Sequence, residues 1–137
     1  MARILGIDYG KKRIGIAVTD PLKMIASGLA SVSTEEVMEF LSNYMLKESV
    51  ETIVIGLPKN LDNTATDATA GAEQFISAVR NKFPLITVQT VDERYTSKMA
   101  VQRILASGAK KKARQDKGLI DRTSATLILE TYLQQQL

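Results

Sequence analysis

The apolar residues of this chain change period once, near residue 33, and that change restricts the fold more than any single motif. Before it come short runs at strand spacing. RILGID at 3–8 is apolar on both faces, as in a strand central to a sheet. RIGIAVT at 13–19 follows after the turn YGKK, where Gly10 suits the positive φ of a hairpin. A weaker third strand covers about 24–32, MIASGLASV. The opening third is therefore expected to be an antiparallel meander.

After residue 33, helical spacing alternates with short apolar runs. Ser33 to Glu36 has the form of a capping box, and Val37, Phe40, Leu41 and Tyr44 follow on one helical face to about Glu48. TIVIG at 52–56 is continuously apolar and leaves through Gly56-Leu57-Pro58, as a buried parallel strand does. Ala72, Phe75, Ile76, Val79 and Phe83 mark a second helix stopped by Pro84, and LITVQTV at 85–91 is a strand running into Asp92-Glu93-Arg94. Thr96 or Ser97 is placed to cap a third helix, with Ala100, Val101, Ile104 and Leu105 on one face and Gly108 at its end. A last helix is expected from near Ile120. Hairpins join antiparallel strands and strand–helix–strand units join parallel ones. The expected fold is thus α/β: a mixed five-stranded sheet, three antiparallel strands then αβαβα, flanked by helices. The 137 residues suit one domain, 1–137.

Composition narrows the chemistry. The chain has neither cysteine nor histidine, which excludes disulfides, zinc fingers, thiol nucleophiles and imidazole bases. What remains is carboxylates, hydroxyls, lysines and an oxygen-bound hard cation such as Mg²⁺ or Mn²⁺. No run approaches the roughly 18 apolar residues of a membrane span. MARILGID enters a strand directly with no targeting segment, so a cytoplasmic location is expected.

Net charge is only +3, with a pI near 9.2, but the charge is uneven. Arg94, Lys98, Arg103, Lys110, Lys111, Lys112, Arg114, Lys117 and Arg122 stand against Asp116 and Asp121 alone, a local balance of +7. Such a segment suits a polyanion; charge by itself fits a solvated loop equally well.

Three acids stand where an α/β sheet builds sites. Asp8 ends the first strand, and Glu93, beside Asp92, ends the last. In the last helix Asp121, Ser124, Ala125, Ile128, Leu129 and Tyr132 share one face, so Asp121 lies on the stripe that packs on the sheet. An acid there requires compensation from the helix amino end, an arginine or a metal. Convergence of Asp8, Glu93 and Asp121 would form a hard-metal site, and two divalent ions held so can activate water and stabilise the leaving oxygen of a phosphodiester.

With these residues in view the chain resembles the YqgF/RuvX family of Holliday junction resolvases and nucleases of the 16S ribosomal RNA precursor. The resemblance rests on GIDYGKKRIGIAVTD at 6–20, VIGLPKNLDNT at 54–64, VDERYTS at 91–97 and LIDRTSATLILETYL at 119–133. It implies a ribonuclease H-like fold and a nuclease dependent on Mg²⁺ or Mn²⁺, with Asp8 and Asp121 as metal ligands and Glu93 as a ligand or water-orienting carboxylate. The partner implied is nucleic acid, structured RNA or branched DNA, without a membrane. Lys12, Arg13 and Arg94 match basic motif positions, Arg94 fitting equally a structural partner of a site acid, and Lys11, Lys110, Lys111, Lys112, Arg114 and Lys117 are further candidates for binding phosphate. The chain departs from the family pattern at Lys11, which makes the turn more basic, at Asn63, where glycine is common, and at Ser124, an alanine-like position.

Two other readings use the same residues. A non-catalytic nucleic-acid-binding module keeps the fold without the reaction. The opening strand, acid and glycine turn also begin the actin and sugar-kinase superfamily, whose two lobes exceed this length. Thr96 and Ser97 read as helix caps without a base to activate them, Tyr95 and Tyr132 as packing residues, and Asp20 with Pro21 as a turn. No interface stripe sets an oligomeric state.

Overall fold

A computed structural model describes residues 2–57, 67–92, 96–108 and 116–136. Its strands are β1 (Arg3–Asp8), β2 (Arg13–Thr19), β3 (Ala26–Ser33), β4 (Val50–Leu57) and β5 (Thr87–Asp92), in the order β3-β2-β1-β4-β5. The central strand β1 pairs antiparallel with β2 and parallel with β4, the mixed sheet expected from the sequence. Its central place explains its two apolar faces. Leu5 and Ile7 join Ile14, Ile16, Ile53 and Ile55 beneath α1 (Val37–Lys47) and α2 (Asp67–Lys82), whose Val37, Leu41, Phe75, Ile76 and Val79 close that core. Ile4, Ala17, Val54 and Val91 face the other way, onto Ala125, Ile128 and Leu129 of α4 (Lys117–Gln135). Burial of each large aliphatic side chain contributes about 1.5–3 kcal/mol, so these two faces dominate the stability.

Among the described residues the remaining helix, α3 (Thr96–Ala106), lies against α4 and is tied to it by Arg103 and Glu130 at 2.8 Å. With the sheet on one side and α3 on the other, α4 is buried at every residue from Ser124 to Leu129. No helix among the described residues is long and apolar enough to cross a membrane.

Several local expectations are corrected. Gly10 does not supply a positive φ, which among the described glycines only Gly108 has; a Cβ at Gly10 would instead overlap the Arg13 carbonyl. The capping box at Ser33 does not form, because Ser33 still pairs with Arg13 in the β ladder and Glu36 takes the N-cap position without a side-chain bond. Thr34 serves the neighbouring turn, its N–H donating to the Lys12 carbonyl at 3.0 Å and its hydroxyl to the Gly10 carbonyl at 2.8 Å. Leu85 is 98% exposed and precedes β5, while Leu105 lies off the buried Ala100 and Ile104 face of α3. The last helix starts at Lys117 rather than near Ile120, since Asp116 caps it by accepting from the N–H groups of Gly118 and Leu119.

Candidate metal centre and nucleic-acid interface

Asp8 and Asp121 come from opposite ends of the chain, and two features of the sheet bring them together. On the α4 face, strand pairing sets Ser31, Gly15, Asp8, Gly56 and Val91 in one row across five strands. Glycine leaves that row bare beside Asp8, and the backbone of α4 descends into the gap. A Cβ at Gly15 would overlap the Asp121 carbonyl, and one at Gly6 would lie 2.8 Å from the Leu129 Cβ. Only glycine permits this approach, and it seats Asp121 between Asp8 and Ser31.

The Asp121 carboxylate is held by side chains from two strands, β2 and β3. The Arg13 Nε–H donates to Oδ2 at 2.7 Å and the Ser31 hydroxyl donates to the same oxygen at 3.0 Å. Oδ1 accepts no hydrogen bond among the described residues. The Arg13 bond, and after it the charge of Asp121, pushes the guanidinium further above its ordinary range. Of the three compensations open to an acid on this face, the structure supplies the arginine. The helix amino end is taken by Asp116 instead.

Asp8, Tyr9, Gly10, Lys11, Lys12, Arg13 and Asp121 line an open cleft of about 280 Å³. Tyr9 packs on Phe75 with ring centroids 5.4 Å apart, which anchors the chain just after Asp8. Two carboxylates walled by three cations can hold an oxygen-ligated divalent ion and receive a phosphate beside it. An Asp121 oxygen without a hydrogen-bond donor among the described residues fits such an ion.

The structure thus gathers Asp8, Asp121, Lys11, Lys12 and Arg13. Lys117 is exposed in the first turn of α4, one turn before Asp121, and does not line the cleft. Glu93, Arg94, Lys110, Lys111, Lys112 and Arg114 lie outside the described residues, which reach Asp92, paired with Leu57. Sequence reasoning missed Ser31 and Gly15. Gly15 carries a faint signal, a glycine inside an apolar strand run, which marks close approach of another backbone.

A family model described as RuvX: Holliday junction resolvase matches residues 2–135. The chain belongs to the RuvX family. This RuvX-family chain is 51% identical over 133 residues to a protein of Christiangramia forsetii, covering 97% of the chain and 98% of that relative. It is 49% identical over 134 residues to one of Bacteroides thetaiotaomicron, covering 98% and 97%. Both relatives bear the name "Putative pre-16S rRNA nuclease". Among solved structures, RuvC of Thermus thermophilus in complex with Holliday junction substrate superposes with a TM-score of 0.59 at 14% identity, over 99% of this chain and 97% of that one. A second structure of that RuvC gives 0.54 at 16% identity, over 98% and 96%. The fold is ribonuclease H-like.

Proposed function

We propose that this protein is a metal-dependent nuclease that hydrolyses phosphodiester bonds in structured RNA, acting on the 5′ end of the 16S rRNA precursor in the cytoplasm. The observation that carries the reading is the seating of Asp121 beside Asp8 in a cleft walled by Lys11, Lys12 and Arg13. A purely structural acid on α4 would need no second carboxylate and no opening to solvent. The names of the relatives, at about half identity over nearly the whole chain, support this substrate.

In this reading Asp8 and Asp121 hold Mg²⁺ or Mn²⁺, and Glu93 completes the set as a ligand or orients the attacking water. Val91, two residues before Glu93, already packs on the α4 side of the sheet. The cation, when bound, lowers the pKa of water and stabilises charge on the leaving oxygen. The chain's own residues orient and neutralise. Lys11, Lys12 and Arg13 bind the phosphate next to the scissile bond, and Arg94, Lys110, Lys111, Lys112, Arg114 and Lys117 hold the flanking backbone.

Cleavage of a labelled 16S precursor with Mg²⁺ or Mn²⁺, by wild type and Asp8→Asn, tests the reading. Asp8→Asn should retain binding and lose cutting; a wild type that binds but cuts no substrate leaves only a binding module. A four-way DNA junction belongs in the same assay, because the matching family model is described by Holliday junction resolution. Preferential cutting of the junction would favour that second reading. Replacing Lys110, Lys111 and Lys112 should lower the slope of log affinity against log salt by roughly 0.7–0.9 for each phosphate no longer neutralised, and an unchanged slope removes them from the interface.

A further inference from the structure

We propose that Ser31, together with the Nε of Arg13, is a positioning residue for Asp121, fixing its carboxylate so that Oδ1 is presented for metal binding. The inference rests on the reading of Asp8 and Asp121 as metal ligands. Among the described residues, both hydrogen bonds to the Asp121 carboxylate end on one oxygen, at 2.7 Å from Arg13 and 3.0 Å from Ser31. Two donors converging on Oδ2 from different strands restrict rotation of the carboxylate and spare the lone pairs of Oδ1. A single donor would leave that rotation open.

The two donors differ in kind. Arg13 has a 43% exposed side chain and brings positive charge next to a site meant for a cation, so its contribution to affinity combines orientation with repulsion. The Ser31 hydroxyl is neutral and its bond is partly shielded from solvent. It orients Asp121 without placing another net positive charge beside a bound cation. Its place is also specific. Ser31 and Asp8 stand on either side of Gly15, roughly 10 Å apart at two interstrand spacings, with Asp121 above the gap. A one-residue shift in the β2–β3 pairing between Ile16 and Ala17 sets this arrangement. Counted from the turn with the pairing Thr19 to Ala26, Gly15 would face Ala30, which has no hydroxyl.

Hydrogen-bonding partners of metal ligands typically alter metal affinity by about 10–100-fold. Titration calorimetry with Mn²⁺ on wild type, Ser31→Ala, Ser31→Thr and Asp121→Asn tests the proposal, alongside thermal melts. Ser31→Ala changes no charge and is expected to weaken Mn²⁺ binding about tenfold with little change in Tm. Ser31→Thr, which keeps the hydroxyl, should restore the affinity. In cleavage assays the apparent KM for metal should rise more than kcat falls. Wild-type affinity in Ser31→Ala, or a Thr variant as weak as the Ala variant, overturns the positioning role while leaving the metal site standing. Absence of Mn²⁺ binding by wild type removes the metal site and the positioning role together.

Discussion

Asp20 and Asp121 stand at opposite ends of the sheet, and the fold holds them in opposite ways. Among the described residues, Asp20 accepts only from its own loop: the Leu22 N–H on Oδ2 at 3.0 Å, and the N–H groups of Met24 and Ile25 on Oδ1 at 2.9 and 2.7 Å. These bonds shape the β2–β3 turn, in which Lys23 takes a φ of 59° and pairs with Glu51. Among the described residues, Asp121 is bound from 108 and 90 positions away, through one oxygen, in a cleft among cations. A carboxylate whose two oxygens serve neighbouring backbone builds a turn. One held at a single oxygen by distant side chains is placed for something else.

The sharpest test of this contrast is the matched pair of amide variants. Under the proposed metal-binding role of Asp121, Asp121→Asn should reduce cleavage by roughly a thousandfold or more, a loss of several kcal/mol. Asp20→Asn should leave cleavage unchanged, and comparable losses in the two would erase the distinction. Gly15→Ala comes next. Forcing a methyl against the α4 backbone should cost about 1–3 kcal/mol and lower Tm by several degrees, and it should also displace Asp121 and depress activity. Retained activity would show that the close approach at Gly15 does not set the acid.

Ser124 supplies a smaller test in the other direction. Its side chain is buried and Oγ has no hydrogen-bond partner among the described residues, so Ser124→Ala should stabilise by up to about 1 kcal/mol, seen as a higher urea midpoint at constant m. A loss of stability would point to a partner for that hydroxyl. Acid sensitivity of the Asp20 turn is the weakest effect. The Ile25 N–H first, then those of Met24 and Leu22, hold the Asp20 carboxyl below its ordinary range. Its contribution is therefore complete above an unfolded value of about 3.9 and is lost as pH falls through the lower folded value. Amide exchange at Leu22, Met24 and Ile25 should rise over that window relative to the rest of the sheet, and the Asn variant should lack this pH dependence.

The order of elements and the two faces of the sheet were legible in the amino acids alone, because strand and helix periods are local properties of the chain. So was the place of Asp121 on the buried stripe of the last helix, since Ser124, Ala125, Ile128 and Leu129 share that stripe and are buried. The helix start was displaced by Asp116, one of two acids near that end, because capping depends on backbone geometry that spacing does not reveal. Ser31 was not legible at all. Ser27, Ser31 and Ser33 have the same chemistry in one strand, and a shift in strand pairing decides which of them stands beside Gly15. Register is settled by packing between strands and by the descent of α4 onto a bare glycine. Which donors meet Asp121, and which of its oxygens they engage, therefore follows from the packed sheet and helix and not from local spacing.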